Sequence, residues 1–174
     1  MRMAEATHLT NEEQAEFLAE LVEQTVGPLQ DKNVAIWGLA FKPETDDIRE
    51  APSVKLCSSL LSRGANVVAH DPEAGKNFGK AMQPHGPRVR VVDREYDALD
   101  GAHALVLLTE WRCYRAPNFS EIRKRLQSAG GAAPPVIDAR NIWRAWDVAQ
   151  AGLRYQGVGV PPVPPTAASS HRLQ

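Results

Sequence analysis

Short apolar runs that alternate with helix-patterned segments constrain this chain more than any other feature. The runs are residues 33–37 (NVAIW), 65–69 (ANVVA), 88–92 (RVRVV), 104–108 (ALVLL) and 136–137 (VI). Each is rich in strand formers and too short to be a helix. Between them lie segments with apolar residues at helical spacing. Pro52 opens one such segment, on which Val54, Cys57, Leu60 and Leu61 share a face and Gly64 is the stop. Residues 93–99 are a short helix, 120–127 a helix with Ile122 and Leu126 inward, and 141–150 a further helix. Residues 153–158 supply a last short strand. Strands that alternate with helices give an α/β domain with a mainly parallel sheet. Right-handed crossovers then place helices on both faces.

An amphipathic helix precedes this unit. Thr10 and Glu13 form a capping box, and Leu18, Leu21, Val22 and Val26 follow at helical spacing. The helix is expected over 11–26, ended by Gly27-Pro28. The sequence thus divides into an N-terminal segment with that helix (1–30), an α/β domain (31–159) and a Pro-rich tail (160–174). The tail carries Pro161, Pro162, Pro164 and Pro165 and is expected to be extended or disordered. The architecture expected is a Rossmann-like three-layer sandwich.

Composition excludes several functions. At 43% hydrophobic and 24% charged residues, the chain can build a core, so a mainly disordered protein is excluded. Lys plus Arg is 20 and Asp plus Glu is 21, which speaks against a nucleic-acid binder. No apolar run approaches the ~20 residues of a membrane span, and the N-terminus lacks the apolar core of a secretory signal. Two cysteines, Cys57 and Cys113, make neither a disulfide framework nor a four-Cys zinc site. His8, His70, His85, His103 and His171 are scattered without metal-ligand spacing, so no metal is expected. A reduced, cytoplasmic domain is the expectation.

In open parallel sheets, ligands bind outside the carboxyl ends of the strands. The sequence places there Gly38 with a long charged loop, Asp71, the trio Thr109-Glu110-Trp111, and Asp138-Ala139-Arg140. A strand-to-helix loop normally takes about 2 to 6 residues; the first loop takes about twice that. It carries Lys42, Glu44, Asp46, Asp47, Arg49 and Glu50. Its cations, next to the helix that Pro52 opens, suit a phosphate or carboxylate. Alternatively its acids and bases pair with each other. Gly38 stands alone, without the glycine pattern of a dinucleotide site, so Asp71 reads as a loop-capping residue rather than a ribose ligand. Arg140 either holds a diphosphate or a uracil edge, or pairs with Asp138. The 109–111 trio is either a catalytic acid with an aromatic wall or a loop cap. Cys57 reads as core. Cys113 lies near Arg112 and Arg115, which could lower its pKa, but no His accompanies it as a base.

The stretch GLAFKPETDDIREAP (38–52) strongly resembles the UDP-glucose/GDP-mannose dehydrogenase family, in its C-terminal UDP-binding domain. The resemblance continues in VAHDP (68–72), YDALDGA (96–102), LVLLTEW (105–111) and VIDARN (136–141), covering roughly residues 10–158. It implies an oxidoreductase that converts the sugar 6-hydroxyl of a nucleotide sugar to a carboxylate with NAD. It implies that Phe41, Lys42 and Arg140 contact the UDP-sugar and that Arg49 reaches towards NAD held by another domain. It also implies that residues 11–26 are the end of the family's central domain. The family's catalytic cysteine lies in a glycine-rich motif that has no counterpart here. The dinucleotide fingerprint is absent too. By resemblance the chain is the last third of such an enzyme, whose missing N-terminal and central domains or a partner chain complete the site. A stand-alone UDP-sugar module and one half of a split enzyme are the alternatives, and the sugar (UDP-glucose, UDP-N-acetylmannosamine or GDP-mannose) is open.

Overall fold

The computed structural model of the chain describes residues 2–128 and 131–166, with the backbone alone for residues 2–12. Six strands form one sheet: β1 (Asn33–Trp37), β2 (Asn66–His70), β3 (Val89–Val91), β4 (Ala104–Leu107), β5 (Pro135–Asp138) and β6 (Arg154–Gly157). Every strand pairing is parallel, in the order β3-β2-β1-β4-β5-β6. That order reverses direction between β1 and β4, which creates a crevice at their carboxyl ends. β4 and β5 are buried along their whole length. Continuous apolar runs are what a sheet covered on both faces requires.

The helices are α1 (Arg2–Val26), α2 (Pro52–Ser62), α3 (Gly75–Met82), α4 (Phe119–Arg125) and α5 (Ala145–Gln150). α2 packs against α1 and α3, while a 3-10 turn at Glu95–Leu99 packs against β1, β2 and α4. The sheet lies between two helical layers, a Rossmann-like α/β fold. On one face Trp37 stacks on Tyr114 with ring centroids 5.0 Å apart and meets Tyr96 and Trp143 edge-on. Its indole N–H is spent on the Glu95 carbonyl at 2.7 Å, so the ring is buried without an unpaired donor. No helix among the described residues is long and apolar enough to cross a membrane.

Several local expectations change. α1 does not begin at residue 11; it runs from Arg2, so Thr10 is interior rather than a cap. Residues 2–9 are mostly good helix formers, and propensity carries the helix through. α3 has no counterpart in the sequence reading. Two glycines weaken its pattern, yet Phe78 and Met82 are buried and hold it in place. α5 starts at Ala145 because residues 139–144 form a turn organised by Asp138. The Pro-rich segment is extended where described: Val163 forms an antiparallel bridge with Tyr155, and the Thr166 N–H donates to the Ala149 carbonyl at 3.0 Å. Residues 167–174 lie outside the described residues.

Candidate functional site at the carboxyl edge of the sheet

Register puts the candidate residues on one edge. Trp37 pairs with both His70 and Leu107, and Leu107 pairs with Asp138. The segments that follow β1, β2, β4 and β5 therefore leave the sheet at one level. Gly38 makes the closest approach, with φ +88°; a Cβ there would sit 2.5 Å from the Thr109 backbone nitrogen. Only glycine fits both that backbone angle and that gap.

Asp71 is the anchor of the edge, with the residue only 7% exposed. One carboxylate oxygen accepts from the N–H groups of Leu39 (2.6 Å) and Ala40 (3.0 Å) and from the Trp111 indole (3.0 Å). The other accepts from Glu73 and Ala74 N–H at 2.9 and 2.8 Å. Asp71 thus caps its own loop, as the sequence indicates, and also ties down the first loop and the 109–111 segment. Ser53 donates to the Leu39 carbonyl at 2.6 Å, and Thr109 to the Ala40 carbonyl at 2.7 Å. Both peptide groups before Phe41 are therefore held on both sides. Phe41 and Lys42 follow at the rim, both exposed, with the Phe41 ring residue 48% accessible.

The rest of the first loop is self-paired in part. The Phe41 N–H donates to the Asp47 carbonyl at 2.9 Å, closing the loop. Arg49 binds Asp47 through Nε and Nη2 (2.8 Å for the latter), and this holds the Asp47 carboxyl down at about 2. The Arg49 side chain remains 88% exposed. It lines a depression of about 530 Å³ with Thr45, Asp46, Asp47, Ile48 and Asn77. Glu44 and Glu50 have φ of +62° and +58°, a cost that surrounding structure must hold in place.

At the end of β5, Asp138 is fully buried. It accepts from the Arg140 N–H at 3.0 Å and from the Trp143 N–H at 2.8 Å. The alternative reading of Arg140, a side-chain pair with Asp138, does not hold. Asp138 takes the backbone N–H, and the guanidinium pairs instead with Glu110, Nε to Oε2 at 2.5 Å. Burial works against the Glu110 carboxylate, but the Arg140 hydrogen bond and charge leave it below the ordinary carboxylate value. In the 109–111 trio, Thr109 and Trp111 brace the loops. Glu110 is the residue whose partner the sequence reading missed. That partner follows from register, which places the residues after β4 beside those after β5.

Neither thiol is activated. Burial pushes Cys57 up to about 12. Cys113 is raised as well, by desolvation and then by the Glu95 carboxylate, so Arg112 and Arg115 do not lower it. No group of three or more His, Cys, Asp or Glu among the described residues could hold a metal ion.

A model of the UDP-glucose/GDP-mannose dehydrogenase family, UDP binding domain, matches residues 35–145. The chain belongs to this family. The UDP-glucose 6-dehydrogenase of Pseudomonas aeruginosa is 42% identical over 160 residues, covering 90% of this chain and 34% of that protein. The UDP-glucose 6-dehydrogenase of Rhizobium meliloti is 31% identical, covering 92% of this chain and 35% of that protein. Among solved structures, a UDP-glucose dehydrogenase from Pyrobaculum islandicum matches with TM-score 0.67 at 29% identity, over 86% of this chain and 30% of that one. This chain spans about a third of the length of the family members it matches.

Proposed function

We propose that this chain is the C-terminal nucleotide-sugar-binding domain of an NAD-dependent UDP-glucose 6-dehydrogenase. One observation supports the site above others: Lys42 and Arg140 emerge at one sheet edge, from loops clamped by Asp71 and Asp138. Two cations on rigid supports suit a diphosphate, which they would neutralise in the order of charge-assisted hydrogen bonds. Phe41, exposed beside Lys42, offers an apolar face to the base or sugar.

The chain's own residues do not fit NAD. The loop after β1 is long rather than a tight glycine turn, and the Asp71 carboxylate that would meet a ribose is committed to backbone and indole donors. Arg49 is proposed as a single contact from this chain towards NAD held by another domain. Its pairing with Asp47 is exposed and therefore weak enough to exchange. Oxidation also needs a thiolate nucleophile, which neither Cys57 nor Cys113 provides. The domain's part is to bind and orient the nucleotide end of the substrate while the chemistry is supplied elsewhere.

Calorimetric titration with UDP-glucose, UDP and GDP-mannose tests this. Lys42→Ala and Arg140→Ala should each weaken UDP-ligand binding by about 1–3 kcal/mol. Unchanged affinity in both variants would overturn the residue assignment. No heat at millimolar ligand would overturn binding by the chain on its own.

A further inference from the structure

Glu110 is an anion standing inside the cationic edge proposed to receive a diphosphate. A bystander there would only repel the ligand, and its geometry gives it another role. Its Oε2 meets Arg140 side-on, at Nε, with the pair about two-thirds buried. Among the described residues, no hydrogen bond or ion pair occupies the two terminal nitrogens of that guanidinium. A guanidinium gripped at Nε keeps its remaining donors in a fixed plane, and fork-like donation to phosphate depends on that plane.

The backbone beneath Arg140 is fixed as closely. Its N–H is bonded to Asp138. The next residue, Asn141, adopts φ +53° and is clamped to Val158, donating from Nδ2 to the carbonyl at 3.0 Å and accepting from the N–H at 3.1 Å. Gly157 leaves room for this clamp, since a Cβ there would lie 2.4 Å from Asn141 Oδ1. A left-handed non-glycine residue held on both sides is the kind of stored strain found beside ligand sites.

We propose that Glu110 is a positioning residue. It holds Arg140 by Nε so that the terminal nitrogens present a preset fork to the diphosphate of the nucleotide ligand. This rests on the nucleotide-binding reading above. It makes a prediction opposite to simple electrostatics: removing a negative charge from an anion site weakens anion binding.

The test is titration of the whole chain with UDP, for wild type, Glu110→Ala, Glu110→Gln, Arg140→Met and the Glu110→Ala/Arg140→Met double variant. Thermal melts check that each variant is folded. Glu110→Ala should bind UDP about five- to tenfold more weakly, the scale of one ordinary net hydrogen bond, because the Arg140 charge itself remains. Glu110→Gln keeps an acceptor and should recover most of the loss. In the Arg140→Met background, Glu110→Ala should change nothing, which a merely structural role would not produce. Binding that is unchanged or tighter in Glu110→Ala overturns the role of Glu110 alone. Additive losses in the double variant overturn it too. Absence of UDP binding by the wild-type chain overturns binding by the chain on its own, and the role of Glu110 in it.

Discussion

Single residues decide how the carboxyl edge is built. Gly38 is one: any side chain there meets the Thr109 backbone within van der Waals distance while strained at φ +88°. Gly38→Ala should therefore destabilise the fold by about 2–4 kcal/mol, read as a drop in denaturation midpoint at unchanged slope. A midpoint within error of wild type would refute the close approach. His70 is a second. It is buried, with Nδ1 2.6 Å from the Tyr114 hydroxyl. Burial pushes its pKa down, against the pull of Glu95, Asp71 and Asp93. The unfolded chain then binds the His70 proton more readily than the folded one. Stability from this group is full above its ordinary value, near 6.5, and is lost as pH falls below it towards the lowered folded value. Melting temperature should fall more steeply from about pH 7.5 to 5.5 in wild type than in His70→Gln. Parallel slopes would show that His70 carries no such linkage.

Elements were legible in the sequence to the degree that burial dictates them. β1, β2, β4 and β5 read clearly because both faces are covered, so their apolar runs had no competing explanation. α2 read clearly from Pro52 and Gly64. α3 did not, because GKNFGKAM is held by Phe78 and Met82 against its surroundings rather than by propensity. Of the site, the positions after each strand were readable from the strand-end rule alone. The partners were not: Glu110 and Arg140 are 30 residues apart, and Asp71 reaches 31 and 32 residues back to Ala40 and Leu39. Such pairings need register, which no local pattern encodes. α1 belongs to this scale too. Ala15, Leu18, Ala19 and Val22 are buried, and Arg63 of the turn after α2 bonds both Glu16 and Glu23. The helix is thus part of the core rather than a loose leader. Leu18→Ala should cost about 2–5 kcal/mol in chemical denaturation. A loss below ~1 kcal/mol would show that α1 merely lies on the surface.

On the proposed reading the whole molecule is a binding platform, and neither thiol among its described residues is activated as a nucleophile. Mixed with UDP-glucose and NAD, the chain should produce no NADH signal, even at concentrations where it binds UDP. Appearance of NADH absorbance, followed at high protein concentration, would contradict the assignment of the chemistry to other polypeptide. The relatives it matches are about three times as long.

The bridge between Tyr155 and Val163 has an architectural consequence. Strand β6 borders the sheet, and an open border can recruit a strand from a neighbouring molecule. Here the chain turns back and occupies that border itself, with Pro161 and Pro162 on one side of Val163 and Pro164 and Pro165 on the other. Proline offers no N–H to a further strand. This stretch therefore acts as a selvedge, finishing the β6 border of the sheet against edge-to-edge polymerisation.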